Sequence, residues 1–194
     1  MEKTQAKESL LKKQLILALI IVVLISAASI AYSLHKSKWS QDEVTIDNIK
    51  TALSDKRNGA SPKAMDIGFP EDITRIEMED QKIYIYYKMK TYRDDTDLVK
   101  KAGGTAIYAG SILYENPAVE NVELLTEINV PDKGVENVVN IELNRGMANQ
   151  VDWKGLALTH DSDPANIYRM YPDHYIAPFI RSKIDKGKIL LPPI

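Results

Sequence analysis

Residues 14–34 constrain this chain more than any other stretch. They read Gln-Leu-Ile-Leu-Ala-Leu-Ile-Ile-Val-Val-Leu-Ile-Ser-Ala-Ala-Ser-Ile-Ala-Tyr-Ser-Leu, without one charged side chain. In a helix, about 20 apolar residues rising about 1.5 Å each cross a hydrocarbon core about 30 Å thick. A helix on the surface of a globular domain sets an apolar stripe against a charged face, and this run has no charged face. The expectation is a single transmembrane helix over 14–34 that holds the chain in a lipid bilayer. Lys3, Lys7, Lys12 and Lys13 precede the run, whereas only Lys36 and Lys38 follow closely. That excess predicts residues 1–13 as a cytoplasmic tail and the rest as an extracytoplasmic domain of a single-pass cell-membrane protein. The run exceeds the roughly 7–15 apolar residues of a cleavable signal, so a retained signal-anchor is preferred to cleavage near Ser29-Ile30-Ala31.

Beyond residue 34 the chain carries 21 Lys and Arg against 25 Asp and Glu. The acidic balance gives no electrostatic footing for nucleic acid. Cysteine is absent, which removes disulfides and thiolate chemistry from consideration. The length suits one core, so residues 35–70 are read as a juxtamembrane helix and linker and 71–194 as one domain.

Ser40-Gln-Asp-Glu43 has the spacing of a capping box, and Ile46, Ile49 and Leu53 continue as a narrow apolar stripe, predicting a short helix over 42–56. From Glu71 the period changes to two. Ile83, Ile85, Tyr87 and Met89 alternate with Tyr84, Tyr86, Lys88 and Lys90, and Ile73–Met78 precedes them across a turn at Glu79-Asp80-Gln81. Val122, Leu124, Thr126, Ile128 and Val130 alternate again, followed after Pro131-Asp-Lys-Gly134 by Val139, Ile141 and Leu143. Between the two hairpins, Asp94, Asp95 and Asp97 open a helix and Asn116-Pro117 closes it. The order predicts an α+β domain with a four-stranded antiparallel sheet (β-β-α-β-β) packed on one long helix. C-terminal helices are expected over 163–170, from Asp163-Pro164, and over 173–185.

Three features carry candidate chemistry. His160, Asp161 and Asp163 with Asp173 and His174 are ligand-type residues that a turn of chain could gather round a divalent metal, the basis of a metal-assisted hydrolase. Their spacing matches no zinc or calcium signature, and capping and turn duties account for the aspartates. The preferred expectation is therefore no metal and no cofactor. Ala102, Ala106 and Gly110, beside Gly103 and Gly104, form a small-residue stripe, read as close packing of the long helix on its own sheet rather than on a partner helix. Tyr84 and Tyr86 project from the sheet face opposite the helix. They are core if the C-terminal segment covers that face, the preferred reading, and candidate binding residues if it does not. No Gly-x-Ser-x-Gly or Ser-x-x-Lys motif supports nucleophilic catalysis. The functional expectation is a non-catalytic interaction or assembly domain with a protein partner in the membrane or envelope; the hydrolase and a ligand-binding module are the alternatives.

Overall fold

The computed structural model describes Ile21 and Phe69, residues 38–55, 71–153, 164–171 and 173–185, and Gly187, Ile189 and Leu191. The chain divides into two compact units, Met1–Lys38 and Trp39–Ile194, and the following concerns the second.

Membrane attachment is the first correction. Among the described residues, no helix is long and apolar enough to cross a membrane. The expected span 14–34 lies outside the described residues apart from Ile21, which is helical. A span requires a continuous apolar helix. The longest described helix, Asp95–Leu113, carries Asp97, Lys100 and Lys101 and is buried inside the domain. The transmembrane, signal-anchor and cell-membrane assignments, with the extracytoplasmic placement built on them, are withdrawn.

The domain opens with a 3-10 turn, Lys38–Gln41, whose Trp39 is buried. Helix α1 (Ile46–Ser54) follows; Thr45, not Ser40, caps it, accepting the Asn48 N–H at 3.2 Å. Its Ile49, Ala52 and Leu53 are buried, as the apolar stripe requires. Strands β1 (Ile73–Glu79) and β2 (Lys82–Lys88) form a hairpin through Asp80 and Gln81, both at positive φ (47° and 67°). Helix α2 (Asp95–Leu113) is capped by Asp94, whose carboxylate accepts the Asp97 N–H at 2.8 Å. Strands β3 (Asn121–Val130) and β4 (Gly134–Asn144) form a second hairpin, with Asp132 and Gly134 supplying positive φ at its turn. After β4 come α3 (Arg145–Ala148), a 3-10 turn at Pro164–Asn166, α4 (Ile167–Met170), β5 (His174–Ile176) and α5 (Pro178–Arg181).

The sheet differs from the expectation in two ways. It has five strands in the order β1-β2-β3-β4-β5, and β2 pairs with β3 in parallel. The parallel pair follows from chain direction. A single helix between adjacent strands returns the chain to the end where the first strand began, so the second strand runs the same way. The fifth strand occupies ground expected to be helix over 173–185. Pro172 and Pro178 flank a segment too short for a stable isolated helix, and the backbone of β4 offers it an antiparallel partner, with His174 opposite Ile141 and Ile176 opposite Val139.

Helix α2 is buried around nearly its whole circumference. It meets β4, α1, the 164–166 turn and α4. Tyr168 donates from α4 to the Val99 carbonyl at 2.7 Å, and Tyr108 donates to the Leu53 carbonyl of α1 at 3.3 Å. The small-residue stripe is therefore not a sheet contact throughout. The indole of Trp153 lies on Gly110 so closely that a Cβ there would stand 2.5 Å from Cζ3. The C-terminal carbonyls of α2 are taken up by side chains: Trp39 Nε1 donates to Leu113 O at 3.2 Å, and Arg145 Nη1 donates to Tyr114 O at 3.0 Å. Asn116 Nδ2 in turn donates to the carbonyls of Trp39 and Asp42, each at 2.8 Å.

Candidate functional site: the outer face of the sheet

The pleat of β2 sends Ile83, Ile85 and Tyr87 into the core and leaves Lys82, Tyr84, Tyr86 and Lys88 half-buried on the other side. Strand register brings their neighbours. Glu77, Tyr84, Glu123 and Glu142 form one row across β1 to β4; Arg75, Tyr86, Leu125, Asn140 and Tyr175 form the next, reaching β5. The middle of the face is thus aromatic and aliphatic, with Leu125 buried and Tyr175 exposed, and its flanks are charged.

Two cations are seated on the tyrosines. The Arg75 guanidinium lies 3.6 Å above the Tyr86 ring while its Nε pairs with Glu77 at 3.2 Å. Lys82 Nζ lies 5.2 Å from the Tyr84 ring and bridges Glu123 at 2.8 Å and Glu142 at 2.9 Å. Burial works against that ammonium, but the hydrogen bonds to Glu123 and Glu142 outweigh it and hold the Lys82 pKa above its usual value. Asn140 Nδ2 donates to the other oxygen of Glu123 at 3.1 Å. The Oδ1 atoms of Asn140 and Asn137 are buried with no donor among the described residues.

The 164–166 turn and α4 pack against α2, and β5 extends the sheet at the β4 edge. The 164–166 turn, α4 and β5 therefore do not supply the C-terminal cover expected over these tyrosines.

Of the metal-ligand set, His160, Asp161 and Asp163 lie outside the described residues. Asp173 is exposed, and its carbonyl accepts the Glu142 N–H at 3.0 Å. The His174 ring turns to the covered side, edge-on to Tyr168 with centroids 5.1 Å apart and Nδ1 3.2 Å from the Tyr171 carbonyl oxygen. Among the described residues, no group of three or more His, Asp or Glu is placed to hold a metal ion.

Sequence reasoning named Tyr84 and Tyr86 but not Arg75, Glu123, Asn140, Glu142 or Tyr175, which complete the face. The period-two pattern places Glu123 and Glu142 on the polar side of their own strands. Only register shows that they stand opposite one another and share Lys82.

No protein-family model, no curated protein and no solved structure matches this chain.

Proposed function

We propose that the domain is a non-catalytic interaction module that binds a protein partner through the outer face of its sheet, centred on Tyr84 and Tyr86. The observation that carries this reading is the layout of that face: an aromatic and aliphatic middle (Tyr84, Tyr86, Leu125, Tyr175) between charged rows, on the side of the sheet away from α2. Protein interfaces share this anatomy, with tyrosines in an apolar centre and a polar rim that excludes water.

The test is site-specific cross-linking in the cells that make the protein. A photoreactive residue replacing Tyr86 is expected to trap a discrete partner, and the same residue replacing the exposed Glu43 on the α1 side is not. Tyr84→Ser is expected to abolish the adduct formed from position 86 while leaving the unfolding temperature of the domain near that of the parent. Equal adducts from positions 86 and 43, or an adduct indifferent to Tyr84→Ser in a folded variant, refutes the reading.

A further inference from the structure

We infer that the partner of this face is a cationic protein segment, one presenting Lys or Arg side chains to Glu123 and Glu142. The inference rests on the interaction reading above and adds the chemistry of the partner.

Charge on the face is unequal. Glu123 and Glu142 stand directly opposite each other on β3 and β4, an arrangement of like charges that disfavours pairing unless something lies between them. One ammonium, that of Lys82, bridges both carboxylates and leaves a negative charge over. Arg75 does not cancel it, being matched by Glu77.

Hydrogen-bond acceptors are in surplus as well. Asn140 spends its amide N–H on Glu123, and its own Oδ1 meets no donor among the described residues. Tyr175 stands across from Asn140 on β5 and is exposed. A ligand that answers surplus carboxylate must donate and carry positive charge. Among side chains that donate several hydrogen bonds, Lys and Arg do this. An acidic segment would face the surplus carboxylate and be repelled by it.

The experiment titrates the full-length protein with a short peptide alternating Arg and Val, and separately with its Glu/Val counterpart, following backbone amide shifts by NMR. The Arg/Val peptide is expected to move the amides of β2, the Glu123 end of β3 and the Glu142 end of β4, and to weaken with added salt. The Glu/Val peptide is expected to move none of them. Glu142→Gln and Glu123→Gln should each weaken binding about two- to fivefold, the range of an exposed ion pair, with Glu43→Gln as the control for general acidity. Binding of both peptides alike, shifts confined to other surfaces, or an equal loss from Glu43→Gln overturns the inference. The two readings fail separately. If Tyr84→Ser abolishes the cross-linked adduct but the carboxylate variants and the peptide titration show no preference for cations, the interaction surface stands and the cationic partner does not. If Tyr84→Ser leaves the adduct unchanged, the interaction reading falls first.

Discussion

Tyr168 and Tyr171 stand one turn apart in the same segment, both almost fully buried, and their hydroxyls have opposite fates. The Tyr168 hydroxyl donates to the Val99 carbonyl at 2.7 Å. The Tyr171 hydroxyl has no hydrogen-bond partner among the described residues, although its ring stays in contact with Trp153, with centroids 5.9 Å apart. Burial pushes both phenols above their ordinary pKa, so both are neutral at any physiological pH and the comparison is between two uncharged groups. Tyr168→Phe removes a buried hydrogen bond and should cost about 1–1.5 kcal/mol. Tyr171→Phe removes a hydroxyl whose burial without a partner costs about 1–3 kcal/mol, and it keeps the ring. The expected result is therefore a gain of about 1 kcal/mol, since part of that cost is relieved by local adjustment in the parent. For a domain of this size each kcal/mol moves Tm by about 2–4 °C, so the two variants should melt on opposite sides of the parent, several degrees apart. Thermal and urea unfolding followed by circular dichroism measures both. Equal destabilisation by the two substitutions would show that the Tyr171 hydroxyl is hydrogen-bonded in solution, and the reasoning would fail.

Gly110→Ala places a methyl group 2.5 Å from the Trp153 ring. Helix propensity alone would make that change favourable by about 1 kcal/mol, but overpacking should cost about 1–3 kcal/mol, giving a lower Tm that Gly110→Ala combined with Trp153→Leu partly restores. Asp97 supplies the pH dependence. Burial alone would raise its pKa, but hydrogen bonds from the Arg93 N–H at 2.9 Å and guanidinium at 3.2 Å, helped by Lys101, hold it below the usual carboxylate value. A lowered folded-state pKa contributes stability that is present above the ordinary carboxylate range and is lost as pH falls through the folded value. Acid unfolding of Asp97→Asn should therefore show a shallower loss of stability below about pH 4 than the parent, and parallel curves would refute the assignment.

How far the fold could be read from residues depended on how local its causes were. Helix α2 was legible at both ends because its stop and start are written in adjacent residues, the Asp94 cap and the Asn116-Pro117 break. The faces of β2 were legible from alternation alone. The parallel joining of β2 to β3 was implicit in the strand-helix-strand order but hidden by the hairpin habit of the flanking pairs. Strand β5 could not be read at all: three residues carry no periodic signal, and it is a strand because β4 is there to pair with it. Gly110 was recognised as a position that admits close approach. The approaching group, Trp153, comes from beyond α3 and nothing near Gly110 announces it. The candidate site divides the same way, with the tyrosines visible in one strand and their ionic surroundings assembled from three others, β1, β3 and β4, by register. The apolar run at 14–34 was the most conspicuous local signal of all, and no spanning helix stands among the described residues to answer it.

The joint at the end of α2 has a mechanical consequence. The Trp39 indole is tied to Leu113, and the Asn116 amide holds both Trp39 and Asp42, so the chain enters this domain at the end of its most buried helix and not at a sheet edge. Tension applied to the chain at Lys38 would load those three bonds together, in parallel, before any strand could be unzipped one residue at a time. A domain anchored in this way yields to a pull abruptly. Its weakest direction lies at the far side of the sheet, where short β5 is the strand that peels.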